Sequence, residues 1–142
     1  MNRRKAREYA LKILYMIDIR KENYLSIIDE FWQSIKEKVN GKVKEFSNEI
    51  VKGVMENIEK IDKIISDVSL NWEIERMSYI DRNILRIGTY EIIFKNDIPY
   101  AVSINEAIEI SKEYGDNDSP KFVNGILHKI KEIVEKGGIN ET

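Results

Sequence analysis

Apolar residues recur at spacings of three and four along nearly the whole chain, and nowhere do apolar and polar residues alternate for the length of a useful strand. Side chains three and four apart share one face of a helix, so each such stripe has to be covered by another element. The clearest stripe runs through Phe46, Ile50, Val54, Ile58, Ile61, Ile65 and Val68 and predicts one long helix of roughly six turns. A first helix is predicted through Ala6, Ala10, Ile13, Leu14 and Ile17, and a second over about Tyr24 to Lys38. From Ile80 to Phe94 apolar residues occur almost all round, leaving a narrow polar strip of Arg82, Arg86 and Thr89. A helix with so little polar surface is buried on most sides and belongs at the centre of the fold.

The breaks between stripes are chemically explicit. Pro99 excludes Ile98 from helical geometry and ends the central helix. Ser103 followed three residues later by Glu106 has the form of a capping box, and Ser119 before Pro120 that of an N-cap with proline in the first turn. The connection Asn71 to Ser78 has room for a turn of helix, with Trp72 as an anchor. These features predict an all-α fold of two packed three-helix subdomains, about 1–70 and 78–138, with about seven helices including a short connector.

A chain of 142 residues buries enough apolar surface to fold without staples, and it has no cysteine to make them. Thiolate catalysis and Cys-type zinc sites are therefore excluded, and a reducing, cytoplasmic setting is expected. No apolar run approaches the roughly 18 residues of a membrane span, and Arg7, Glu8 and Lys12 interrupt any secretory leader. Net charge is −2, but Arg3, Arg4, Lys5, Arg7 and Lys12 stand against Glu8 alone in residues 1–12, a net of +4 that leaves −6 for the rest. A basic arm on an acidic body suits a protein that meets phosphate at one end and another partner elsewhere.

Enzymatic signatures are weak. His128 is the only histidine, and a solvated surface position suits it. Glu106, Glu109 and Glu113 share a face without a partner histidine and read as a solvated edge rather than a metal site or an acid pair. Asp116 and Asp118 begin like a calcium loop but lack the glycine and glutamate that would complete it. No cofactor and no metal are expected.

The arm carries more. Arg4, Leu11 and Tyr15 project away from the first core stripe with Arg7 and Lys12 to either side, a pattern of cations and a ring that suits single-stranded nucleic acid. In the last helix Gly125 lies opposite the core stripe, between Lys121 and Lys129. A mid-helix glycine costs about 1 kcal/mol relative to alanine, so a helix of the other bundle or a ligand is expected to approach there.

The segments "RRKAREYALKILY", "DRNILRIGTYEIIF", "DIPYAVSINEAIEISKEYG" and "DSPKFVNGIL" resemble, in order, the signature segments of the NusB family of bacterial transcription antitermination factors. The resemblance runs from Arg3 to about Ile130. It implies two three-helix subdomains and no enzymatic activity. It also implies binding of the boxA element of ribosomal RNA leader transcripts as a heterodimer with the ribosomal protein NusE, alongside other Nus factors on RNA polymerase. Matched by motif, Arg3, Arg4, Lys5, Arg7 and Tyr15 correspond to the family's RNA-binding first helix, and Asp118, Lys121 and Phe122 to the RNA-facing start of the last. Asp118 is then expected to moderate affinity. The NusE face corresponds to the region of Glu75, Asp81 and Arg82. Ser69 stands where some relatives carry an aromatic ring, which removes one RNA contact. NusB-like domains also serve as RNA-gripping accessories of rRNA methyltransferases, a reading that a catalytic domain following Thr142 would favour. A structural homodimer of the free chain is the third reading.

Overall fold

The computed structural model describes residues 2–70 and 72–139. Seven α-helices and one 3-10 turn account for nearly all of them, with no strand among the described residues: α1 (Arg3–Arg20), α2 (Tyr24–Ser34), α3 (Gly41–Glu56), α4 (Ile58–Val68), the turn Ile74–Arg76, α5 (Tyr79–Phe94), α6 (Tyr100–Tyr114) and α7 (Ser119–Glu135). Helices α1, α2 and α3 pack together as one bundle and α5, α6 and α7 as another. Helix α4 leaves the first bundle in sequence but lies against α5 and α7. None of these helices is long and apolar enough to cross a membrane.

Asparagine starts the first three helices. The side-chain oxygens of Asn2, Asn23 and Asn40 accept from the backbone N–H of Lys5, Leu25 and Lys42 at 2.9, 2.8 and 2.8 Å, each satisfying a donor that the helix itself leaves open. Ser78 does the same for α5, accepting from Asp81 N–H at 3.0 Å. Helix α1 ends where Lys21 takes a left-handed conformation, φ 55°.

The long third helix expected from the Phe46–Val68 stripe is two helices. It breaks at Asn57, whose amide donates to the Gly53 carbonyl at 2.8 Å and whose φ and ψ of −121° and 22° leave helical geometry. The stripe stays in phase across the break, so periodicity does not register it. The second helix stops at Ser34, short of Lys38, because Ile35 is extended. The connector is anchored by buried Ile74 and Met77, whereas Trp72 is 53% exposed.

Helix α5 is the centre, as its composition predicts, touching α1, α3, α4, α6 and α7. Its polar strip is occupied by ion pairs that tie it to both bundles. Arg82 donates through Nε and Nη2 to Asp18 of α1 at 2.7 Å each, and Arg86 to Asp62 of α4 at 2.8 Å each and to Asp18 at 3.1 Å. Burial pushes the Asp18 carboxyl upward, but the Arg82 hydrogen bond, the Arg86 charge and the Asn83 amide outweigh it, and the group sits below the usual carboxylate range. Two glycines permit close packing on this core: a Cβ at Gly53 would overlap the hydroxyl-bearing edge of the Tyr90 ring, and one at Gly88 would meet Leu127 at 2.7 Å.

Two local expectations are corrected. Helix α6 opens at Tyr100 directly after Pro99, so Ser103 is inside the helix and Glu106 is not part of a capping box. Ser119 is the first residue of α7 rather than its cap: its buried hydroxyl accepts from Asp116 N–H at 3.0 Å, while Asp116 Oδ1 accepts from the N–H groups of Asp118 and Ser119 at 2.9 and 3.1 Å.

Candidate nucleic-acid interface

The basic arm does not point one way. Successive residues of a helix diverge by about 100°, and four helices, α2, α3, α5 and α6, touch α1. Arg3 lies over the Phe46 ring of α3, 4.7 Å from its centroid. Arg4 turns to α6 and grips Glu106 with two bonds of 2.9 and 2.7 Å. This hydrogen bond, with the Arg4 charge, holds the Glu106 carboxyl below its ordinary value, so Glu106 is a docking point rather than a solvated edge. Lys5 sits 5.0 Å over the Tyr9 ring.

Arg7 goes inward. It is 3% exposed and donates to Glu91, itself 1% exposed, at 2.7 and 2.8 Å, while Ser103 Oγ donates to the same carboxylate at 2.8 Å. A guanidinium saturated in this way has no face left for phosphate, and Arg7 is removed from the RNA-contact set. Its partner lies 84 residues away, out of reach of any local pattern. Leu11, placed off the core stripe from the wheel, is 1% exposed and belongs to the core.

Exposed rings gather where α1, the connector and the start of α7 meet. Tyr15 is 37% exposed and meets Tyr79 edge to face, centroids 5.9 Å apart, with the Arg82 guanidinium 4.5 Å over Tyr79. One residue before Tyr79, Ser78 lines a cleft of about 310 Å³ whose walls include Trp72, Arg76, Asp81, Asp118 and Phe122. Trp72 and Phe122 meet edge to face at 5.9 Å on its wall. Asp81 Oδ1 is buried here without a hydrogen-bond partner, and Asp118 makes no side-chain cap to α7. The cleft thus combines π-faces, one guanidinium and unpaired carboxylate acceptors, the set that stacks a planar ring and takes hydrogen bonds from its N–H edge.

On the other side of Tyr15, Lys12 is exposed, with its Nζ 6.0 Å from the Tyr114 ring centroid and 5.9 Å from that of Tyr9. Tyr114 donates to Glu8 at 2.9 Å, and burial followed by that carboxylate pushes its hydroxyl up to about 12. Of the residues singled out from sequence, Asp118 and Phe122 line the cleft, exposed Lys121 precedes Phe122 and Tyr15 meets Tyr79, while Arg3, Arg4 and Lys5 lie against Phe46, Glu106 and Tyr9. Lys12, read from sequence as part of the basic arm, is exposed beside them, whereas Trp72, Arg76, Tyr79 and Tyr114 were missed as site residues. The one usable signal was Trp72, a large ring in an otherwise polar connector.

Ser69 is 7% exposed and donates to the carbonyls of Ser66 and Trp72 at 3.2 and 2.7 Å. It therefore ties down the segment that presents Trp72, the exposed ring of this region. Of the expected partner face, Glu75 is exposed, whereas the Arg82 Nε and Nη2 groups donate to Asp18 and its side chain is only 12% exposed, so its main bonds are within the chain. No metal-binding group of side chains occurs among the described residues.

Of the two visitors expected at Gly125, a helix of the other bundle or a ligand, the structure removes the helix. Gly125 is exposed, and a Cβ there would meet nothing within 4 Å. No helix approaches it.

Comparison with known proteins agrees with this architecture. The NusB family profile matches residues 4–132. The transcription antitermination protein NusB of Thermodesulfovibrio yellowstonii is 46% identical, aligned over 92% of this chain and 91% of its own. The structure of T. maritima NusB superposes with a TM-score of 0.86 at 39% identity, covering 98% of this chain and 99% of that one. A second neighbour, from a crystal structure of antitermination factors NusB and NusE in complex with dsRNA, gives 0.79 at 32% identity over 92% of this chain and 96% of that one. An all-helical chain with two packed bundles, matched by the family profile over nearly its full length, belongs to the NusB family of transcription antitermination factors.

Proposed function

We propose that the chain binds a boxA-type single-stranded RNA of ribosomal RNA leader transcripts, pairs with NusE, and acts without catalysis of its own in a Nus-factor complex on RNA polymerase. The observation that carries this reading is the pair of ring contacts, exposed Tyr15 with exposed Tyr79 and exposed Trp72 with half-buried Phe122, in a region that also carries Lys5, Lys12, Arg76 and Lys121. Rings supply sequence-tolerant stacking, and the cations neutralise phosphates. The neighbour solved with NusE and dsRNA supports both classes of partner.

Titration of a boxA-type strand at two salt concentrations, with and without NusE, tests the reading. Four phosphate contacts, from Lys5, Lys12, Arg76 and Lys121, give a log–log slope of about −3 at roughly −0.7 per contact. Binding that is absent in both settings, or indifferent to salt, overturns it.

A further inference from the structure

Helices α6 and α7 are antiparallel neighbours, and their outer groove leads away from the ring-bearing cleft. A second cleft of about 230 Å³ opens between them, floored by Ile104 and Ile108 and rimmed by Asn105, Asn124, His128 and Lys131, while Lys121 and Phe122 lie on the first turn of α7, with Phe122 on the side of the ring-bearing cleft. Lys121, His128 and Lys129 are exposed, and Lys121 and Lys129 have no acidic partner among the described residues; Lys131 pairs loosely with exposed Glu135 at 3.7 Å. Gly125 sits between the two lysines, one turn from each, with open space over its backbone. Its cost of about 1 kcal/mol has no return within the chain.

The geometry points to this groove as a second nucleotide subsite, in which RNA flanking the segment bound at Phe122 runs over the bare Gly125 backbone and places a base against Ile104 and Ile108. This rests on the RNA-binding reading above. The occupant follows from the chemistry. Paired amides offer the donor and acceptor that read a base edge, as Asn does in bidentate contact with adenine, and the unpaired ammonium groups suit phosphate. The missing Cβ lets a sugar-phosphate chain approach the helix more closely than any side chain would allow. From Lys121 to Lys131 the groove runs about 15 Å at 1.5 Å per residue, room for a short flanking run rather than a whole element.

The test compares the boxA-type strand with the same strand carrying four extra nucleotides at either end, by fluorescence anisotropy with wild type, Lys129→Glu and Asn124→Ala, each variant first shown to melt as wild type does. The expected result is that one extension tightens wild-type binding about tenfold and steepens its salt slope by roughly 0.7 per added phosphate contact. Both variants lose that gain while binding the short strand normally. If neither extension tightens binding, or if both variants keep the gain, the subsite is overturned while the RNA-binding reading stands. If the short strand itself fails to bind, that reading falls and the subsite with it. A Lys129→Glu variant that keeps the extension gain yet binds NusE less tightly makes the groove a protein contact and also overturns the inference.

Discussion

Arg4 and Arg7 are three residues apart on one helix and chemically identical, yet one is half exposed and the other sealed, so burial of the partner decides their roles. Arg7 and Glu91 are both out of water, where removing one partner strands the other. Arg7→Ala is expected to cost about 3–5 kcal/mol, measured by denaturant unfolding. A joint Arg7→Met and Glu91→Leu change should recover most of that loss, because similar volumes remain and no charge is stranded. Gly125 and Gly53 make the opposite contrast. With open space over Gly125, Gly125→Ala should stabilise by about 0.5–1 kcal/mol and raise Tm by about 2–4 °C. Gly53→Ala drives a methyl into the Tyr90 ring and should cost about 1–3 kcal/mol. An unchanged Tm for both would sink this account of where the chain needs glycine. Asp118 belongs at this scale too. Its carboxylate caps nothing, so Asp118→Asn should leave Tm in place and tighten RNA binding by removing a like charge beside the phosphates.

At the scale of elements, α1 is held by α5 through Asp18. Its folded pKa lies below the unfolded value, so the stabilisation is fully present above the unfolded pKa near 3.8 and is lost as pH falls through the lower folded value. Asp18→Asn should therefore lower stability at neutral pH and flatten the acid limb of the stability profile below about pH 4, a comparison made by urea midpoints across pH. The elements also show why sequence reading succeeded and failed where it did. Helix type and core faces follow from a local 3.6-residue period, so α1, α5 and α7 were legible. The break at Asn57 was not, because the stripe continues in phase across it. The Ser103–Glu106 pair matches a capping box in composition, but Pro99 four residues earlier had already opened the helix, freeing Ser103 to reach Glu91 and Glu106 to reach Arg4. Arg7, Arg82 and Arg86 all find carboxylates at least 24 residues away, and no local pattern announces such partners. The candidate site was half legible for the same reason. Its charged ends are local, at the start of the chain and of α7, whereas Tyr79, Trp72 and Tyr114 join it only through tertiary packing.

For the molecule as a whole, the two bundles share α5, and their ion pairs cross from α1 to α5 and from α4 to α5. Bundles joined only by a connector melt separately, but a central helix touching five others makes loss of either bundle expose the other's core. The two tryptophans report this independently. Trp32 on α2 packs among Tyr9 and Phe31 in the first bundle and donates to Asn48 at 2.7 Å, while Trp72 lies against Phe122 of α7 in the second. In Trp72→Phe and Trp32→Phe variants, each with one remaining tryptophan, the urea midpoints read by fluorescence should coincide with one another and with far-UV circular dichroism. Adding Arg7→Ala should move both midpoints downward together, although Arg7 is far in sequence from Trp72. A shift confined to the Trp32 signal would mean that α5 does not couple the bundles. The proposed RNA surface, assembled from α1, the connector, the start of α5 and α7, would then lack the rigid frame that holds its two ring pairs in register.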